Sequence, residues 1–367
     1  MSHLRRELSM FVALAAMCLG LYVSNPDFLG QSNLVNTTRQ IAMLGIYTVG
    51  IAFVIITGGT DLSVGSVIGL TGVIIARLSS TSSDGLGLPL FVGISVALVV
   101  ALLIGLIQGM IITRLQLQPF IVTLGSMLLL RGVSQTIVKG GTIGFGSSSF
   151  TSFADSGLLH HNGDPLISYP VLVFAAVVVL ATYLLHFTVF GRYVYAIGGS
   201  RDAAAYSGIN VKRVETTTYV ISAGLAGVAG VCYASYIGQM SQQVGIAYEL
   251  YAIAAAVLGG CSLWGGTGTI LGVIIGSAMM RVIDNGINMF QFRYTTVEGI
   301  KRIWRLDPNW NFIIIGGVIL AAIIIDQVAH MLQAKQSIRS DVRSAKRIAG
   351  TTADAGQSAT SAVGTNK

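Results

Sequence analysis

The sequence predicts an all-α polytopic membrane protein with about ten transmembrane helices, and three observations predict it. Of 367 residues, 53% are hydrophobic and only 10% are charged, with a mean hydropathy of +0.74; soluble domains carry about 25% charged residues. Apolar windows of roughly 20 residues, the length that crosses a bilayer's hydrocarbon, recur along the chain. The basic residues behind the net charge of +7 gather in short joints and in the tail. That is the pattern of cytoplasmic loops, not of a nucleic-acid-binding domain, so the expected surroundings are lipid and no nucleic acid.

The spans are expected near 8–24, 40–57, 62–79, 89–113, 118–138, 169–188, 215–237, 247–260, 267–289 and 311–330. The first follows a basic start, MSHLRR, as a signal peptide would, but no convincing small-x-small cleavage site follows, so it is read as an uncleaved span. The eighth is short for a crossing and is either broken, re-entrant or whole. With both termini cytoplasmic, Arg5, Arg6, Arg114, the joint 191–214 and the tail place 13 of the 22 Lys and Arg residues on the cytoplasmic side. Arg39, Lys139, Arg293, Lys301, Arg302 and Arg305 fall outside, while Arg77, Arg131 and Arg281 lie in or at the ends of spans. Without a crossing at 247–260 the basic tail would be external, which favours a crossing there.

A transmembrane domain is therefore expected over 1–332 and a disordered basic cytoplasmic tail over 333–367, too poor in apolar residues to fold alone. The external connection 139–168, rich in Gly, Ser, Thr and Asp, reads as a solvated loop or as a docking surface for an external partner. The segment 291–310 is basic yet external; with Trp304 and Trp310 it is expected to be a short helix on the bilayer surface. Cys18, Cys232 and Cys261 share no metal-ligand spacing and read as small hydrophobes.

Two glycine-rich breaks interrupt the apolar runs: GGTDLSVGSVIGLTGV at 58–73 and GGCSLWGGTGTILGVI at 259–274. Aligned without gaps they share three glycines and two leucines, which suggests an internal duplication. Gly58 and Gly59 suit a helix end with positive φ, and Asp61 suits the cap of a helix starting at Leu62. The break is either a capped cytoplasmic hairpin or a discontinuous helix exposing backbone and polar groups to a solute, with Gly58, Gly59, Asp61 and Ser63 as path or gate positions. Asp284 and Asn288 share a helix face, with Asn285 adjacent; Asn285 and Asn288 are candidates either for helix–helix hydrogen bonding or for the solute path.

No phosphate loop is present, since none of the six lysines follows a glycine and precedes Ser or Thr, and the histidines at 3, 160, 161, 186 and 330 are scattered. An enzyme is not expected, and no metal or cofactor is expected in this chain. Active transport would draw on an ion gradient or on a separate ATPase. In the cytoplasmic segment 190–214, Ser200 can cap a helix from Arg201 to Ser207, with Asp202 in its first turn and Gly208 ending it, a projection suited to docking another protein.

The segments GGTDLSVGS (58–66), LQLQPFIVTLGSMLLLRG (115–132), FGRYVYAIGGSRDAAAYSGINV (190–211), YELYAIAAAVLGGCSLWGGTGTILG (248–272) and DNGIN (284–288) occur in this order. In them the chain resembles the permease subunits of bacterial ABC importers of the ribose/xylose/galactoside class, a family shared with branched-chain amino-acid permeases. The resemblance covers most of 30–330. It implies a type I-like ABC importer permease in the bacterial plasma (inner) membrane, with some helices broken by glycine turns. It further implies a second permease subunit, identical or related, two cytoplasmic ATPase subunits that bind ATP and magnesium, and an external or periplasmic binding protein that delivers the sugar. Arg201, Asp202, Ala203, Ala204, Ala205 and Gly208 would then form the coupling helix. The segment 291–310 and the tail are longer than usual in that family, and Asp284 stands where many of its members have Asn. A branched-chain amino-acid permease, or an ion-coupled carrier or channel without an ATPase, are the rival readings.

Overall fold

The computed structural model describes residues 2–81, 85–145, 150–161, 164–295, 301–305, 310 and 313–321, with isolated positions up to 331. Its helices are α1 (Ser2–Ser24), α2 (Gln31–Ile56), α3 (Val64–Ser79), α4 (Leu90–Leu115), α5 (Pro119–Val138) and α6 (Tyr169–Thr182). They continue with α7 (Val189–Gly199), α8 (Arg201–Tyr206), α9 (Val211–Ile237), α10 (Tyr248–Leu258) and α11 (Ile270–Met289). A π-helical turn over Tyr183–Phe187 prolongs α6. The chain divides into one unit up to Ile319 and a second from Leu320 onward. The second is helical where it is described, and the expected tail 333–367 lies outside the described residues.

The fold is that of an all-α polytopic membrane protein. Among the described residues, seven helices are long and apolar enough to cross a bilayer: α1, α2, α4, α5, α6 with its π turn, α9 and α11. α3 and α10 are apolar but shorter, at 16 and 11 residues. At ~1.5 Å per residue α10 is about 16 Å long, half of a ~30 Å hydrocarbon layer. The nine expected windows from 8–24 to 267–289 each fall on one of these helices. The tenth, 311–330, is helical at its described positions.

Lipid removes the hydrophobic drive between helices, so small residues that admit close backbones decide which helices meet. α9 runs Ala223-Gly224-Leu225-Ala226-Gly227-Val228-Ala229-Gly230 through its middle. A Cβ on Gly227 would stand 2.8 Å from the Ala101 Cβ of α4, and one on Gly230 would stand 2.9 Å from Ile68 O of α3. α2, apolar all round from Ile41 onward and buried over most of its length, lies against the same helix, with Gly50 over the Ser222 backbone. By contrast α4 turns Phe91, Val96, Val99, Leu103 and Ile107 outward, a face made for acyl chains.

The connection 139–168 is a folded cover and not merely a solvated loop. Strand β1 (Thr142–Gly144) is followed by a hairpin of β2 (Gly157–His161) and β3 (Asp164–Ser168). β1 pairs antiparallel with β4 (Gln239–Ser241), the strand that precedes α10. Phe145 and Phe150 pack edge to face at 4.9 Å, Ser80 Oγ donates to Gly144 O at 2.7 Å, and Arg39 pairs with Asp155 at 2.7 Å. A surface helix was expected at 291–310; instead β5 (Gln291–Thr295) and β6 (Lys301–Arg305) pair antiparallel, Phe292 opposite Trp304. The aromatic and β-branched residues Phe292, Tyr294, Ile303 and Trp304 favour strands over a helix there. The proposed duplication is also revised. Seven residues separate α2 from α3 and eleven separate α10 from α11, and the left-handed glycines, Gly58 and Gly260, do not align without a gap.

Candidate functional site

Three glycine segments far apart in sequence form one junction. α2 ends at Ile56, and Gly58, at φ +81°, turns the chain back. The terminal carbonyl of Ile56, which has no partner within its own helix, accepts a hydrogen bond from Gly266 N of the second break at 2.8 Å. Gly198, near the end of α7, lies so close to Ile56 O and Gly266 N that a Cβ would overlap both. Tyr195, one turn earlier on α7, donates its hydroxyl to Gly268 O at 2.6 Å. The ends of α2 and α7 and the loop between α10 and α11 are thus held together backbone to backbone.

α8 leaves this junction directly. Ser200 Oγ caps it through Ala203 N at 3.3 Å, Asp202 stands in its first turn, and Gly208, at φ +83°, follows its C-terminal end. Ala204 is the buried residue of the turn, while Ala203, Ala205 and Tyr206 are exposed, Tyr206 at 93%. Arg201 forks onto both oxygens of Glu215 on α9, at 2.8 and 3.2 Å. That hydrogen-bonded pairing raises the guanidinium's pKa. A cavity of about 240 Å³ separates this ion pair from the first break, lined by Gly58, Gly59, Arg201, Glu215 and Tyr219 among others.

Deeper inside, Asp61 is fully buried. The expectation that it caps a helix at Leu62 is corrected: α3 begins at Val64, with Ser63 in the cap position. Asp61 instead accepts from Ser63 N (3.0 Å), Ser63 Oγ (2.6 Å) and, across to the twelfth residue of α9, Ser222 Oγ (2.7 Å). Gln108 Oε1 lies 3.2 Å from Ser63 Oγ. That hydroxyl has one hydrogen and gives it to Asp61, so an amide turned to present NH2 to Ser63 satisfies both. Tyr219 donates to Thr60 O and closes the loop from below.

α10 starts where α3 starts. A Cβ on Gly65 would overlap Gly245 O and Glu249 Oε2, so the two helix N-termini abut. Glu249 is buried there, Oε2 without a hydrogen-bond partner among the described residues, and Arg131 reaches Gly245 O at 3.4 Å. Carboxylates beside two helix N-termini sit in a favourable dipole field. α3 and α10 are therefore shortened helices, about 24 and 16 Å long, that begin against one another inside the protein.

Toward the other end of α2 lies a second polar chamber of about 320 Å³, lined by Tyr233, Tyr236, Tyr248, Tyr251, Arg281 and Asp284 with Gln40 and Met43. Arg281 bonds Asp284 at 3.1 Å and Tyr233 Oη at 2.9 Å, and its guanidinium lies 5.6 Å from the centre of the Tyr251 ring.

Residues 33–323 match the family described as branched-chain amino acid transport system / permease component. The chain belongs to that permease family. It is 38% identical over 280 residues to the ribose import permease protein RbsC of Haemophilus influenzae, covering 76% of this chain and 84% of that one. The Bacillus subtilis protein of the same name is 36% identical, over 88% of this chain and 93% of that one. The galactose/methyl galactoside import permease protein MglC of H. influenzae is 33% identical, over 85% and 91%. No solved structure matches.

In this permease the twelve residues singled out from sequence separate into distinct places. Arg201, Asp202, Ala203, Ala204, Ala205 and Gly208 lie together on α8 and just after it. Gly58 and Gly59 line the cavity beside α8, whereas Asp61 and Ser63 are sealed beneath it. Asn285 exchanges amide hydrogen bonds with Asn33 of α2 at 2.8 and 3.2 Å, at the end of α2 opposite the break. Asn288 is exposed and donates to Asp284 O. The permease's tyrosine-lined chamber was not singled out; its signal was an arginine, Arg281, three residues before an acid in an apolar run. Replacing Arg281 by lysine keeps the charge but loses the fork. It is expected to lower stability in detergent by about 1–2 kcal/mol, read as a lower melting temperature, through loss of one of the two hydrogen bonds.

Proposed function

We propose that the chain is the membrane-spanning subunit of an ATP-binding-cassette importer that moves a sugar (a pentose, hexose or glycoside) across the bacterial inner membrane. The relatives named for ribose and for galactose and methyl galactoside support the substrate class. The observation that supports the mechanism best is α8: a capped, outward-facing turn whose base is locked by Gly198 and Tyr195 onto both glycine breaks. A partner that pulls on α8 pulls on α2 and on the α10–α11 loop together.

In this reading cytoplasmic ATPase subunits grip Ala203, Ala205 and Tyr206 and supply the energy by hydrolysing ATP with magnesium, while this chain catalyses nothing. An external binding protein delivers the sugar on the side of the cover formed by β1–β4. Both termini lie in the cytoplasm. A second permease subunit, a copy or a related chain, packs on α5. That helix exposes Gly125, Gly132, Gln135 and Thr136 among its leucines, where α4 exposes apolar side chains. Exposed amide and hydroxyl groups fit a protein or aqueous path better than acyl chains. The shortened helices α3 and α10, meeting at Gly65, form the movable element between the two sides.

Two measurements test this. Reconstituted in bilayer discs with its ATPase, the permease should show ATP hydrolysis stimulated by a sugar-loaded binding protein. Stimulation by a branched-chain amino-acid-binding protein would support the rival substrate, and uptake that survives ATP depletion but collapses with an ionophore would support a carrier. Ala204→Arg should lift α8 off its seat and reduce stimulated hydrolysis and uptake at least about tenfold, with membrane insertion intact.

A further inference from the structure

We propose that the cleft between the C-terminal end of α4 and the N-terminal end of α9 is a binding site for an anionic phospholipid of the surrounding bilayer. The two helices approach closely at Gly105 and Gly109, and Thr113 Oγ1 meets Thr216 Oγ1 at 3.0 Å. Alongside that contact the two helices line an open cleft of about 710 Å³. Three cations stand in its lining: Arg114 from α4 with Lys212 and Arg213 from α9. Each is exposed, and among the described residues none is in an ion pair. No acidic residue lines the cleft. Glu215, the nearest acid in sequence, is occupied by Arg201.

The wall of the cleft is apolar, formed by Leu106, Met110 and Val220, with the hydroxyls of Thr113, Thr216 and Thr217 between wall and rim. Leu106 belongs to the outward strip of α4 that continues through Leu103 and Ile107, all exposed. One amphipathic ligand matches this layout. Its phosphodiester would sit among the three cations, and its acyl chain would run down the α4 strip. A soluble anion would leave the apolar wall bare, and an acidic protein segment would leave the strip uncovered. Lone basic residues near a bilayer need no ligand to explain them; three converging on one cleft, with an apolar floor leading into the hydrocarbon, do.

The test uses the full-length permease in detergent, titrated with phosphatidylglycerol and, separately, with phosphatidylcholine, bound lipid being counted by native mass spectrometry. The expected result is selective retention of phosphatidylglycerol, weakened at least about tenfold in the triple variant Arg114→Gln, Lys212→Gln, Arg213→Gln. Val220→Trp, which fills the cleft and leaves all three charges, is expected to lose the lipid as well and provides a second reading should the triple variant fail to fold. Equal retention of both lipids, unchanged phosphatidylglycerol binding in the variants, or displacement of the lipid by millimolar inorganic phosphate would each overturn the proposal. So would a triple variant that keeps its lipid but no longer co-purifies with the ATPase, since the cleft would then belong to a protein partner.

Discussion

Gly198→Ala is expected to abolish transport. The added methyl would fall on Ile56 O and Gly266 N, both main-chain atoms that belong to different segments and cannot swing aside as a side-chain tip can. Relief requires α7 to move away from α2 and from the α10–α11 loop, which breaks the Tyr195–Gly268 hydrogen bond and removes the packing of α7 against the Gly266–Ile56 pair. Overpacking of this kind costs about 1–3 kcal/mol or more, so part of the effect is lost stability, seen as a lower melting temperature in detergent. The remainder concerns coupling. Even protein that folds should show ATP hydrolysis no longer stimulated by the loaded binding protein, because α8 no longer bears on the breaks. The neighbouring Gly199→Ala is the control: a Cβ there meets nothing within 4 Å, and its effect should be small. Equal activity of Gly198→Ala and wild type would show that the junction transmits nothing.

Asp61→Ala is the second substitution with a large expected effect, and here the loss falls on folding. Its carboxylate accepts three hydrogen bonds inside the protein, from the Ser63 amide, the Ser63 hydroxyl and the Ser222 hydroxyl. Truncation leaves those donors buried and unpaired, at about 1–3 kcal/mol each before relaxation. A total of roughly 3–5 kcal/mol follows if the loop partly rearranges. Asp61→Asn keeps the shape and one acceptor oxygen and should cost less. A cycle with Ser222→Ala separates the two roles of the site, since a coupling energy of about 0.5–3 kcal/mol is expected for a direct contact between α9 and the first break. Additivity would mean that the carboxylate serves only its own loop. Should Asp61→Asn fold normally yet fail to transport, the charge itself would belong to the path.

Much of the architecture could be read from residue order. Long apolar windows locate helices because a bilayer leaves the backbone no other way to satisfy itself. Capping chemistry, Ser200 before Asp202 with Gly208 after, located α8 because those signals act within one turn. Local rules failed where distant chain supplied the partner. Asp61 reads as a cap for its own helix but is satisfied partly by a serine 161 positions away. Asn285, read as a candidate either for helix–helix hydrogen bonding or for the path, takes its partner from Asn33, 252 positions earlier, which residue order does not name. The segment 139–168 reads as solvated from its Gly and Ser content, yet it is tied down through β4 and Ser80, which composition does not reveal. In 291–310, tryptophans at an interface suggested a helix, while the strand-favouring residues Phe292, Tyr294, Ile303 and Trp304 lie in two paired strands.

The membrane class, the positions of the helices and the exposed turn at 201–206 were determined by the sequence alone, because hydropathy and capping are properties of neighbouring residues. The tertiary structure decided that GG at 58, GG at 198 and GGTG at 265 are a single junction, that α3 and α10 begin against one another at Gly65, and that Asp61 is sealed inside. Glycine explains the division. A residue without a side chain leaves no periodic or polar signal of what it touches, and its purpose is visible only once the backbone it admits has been placed against it.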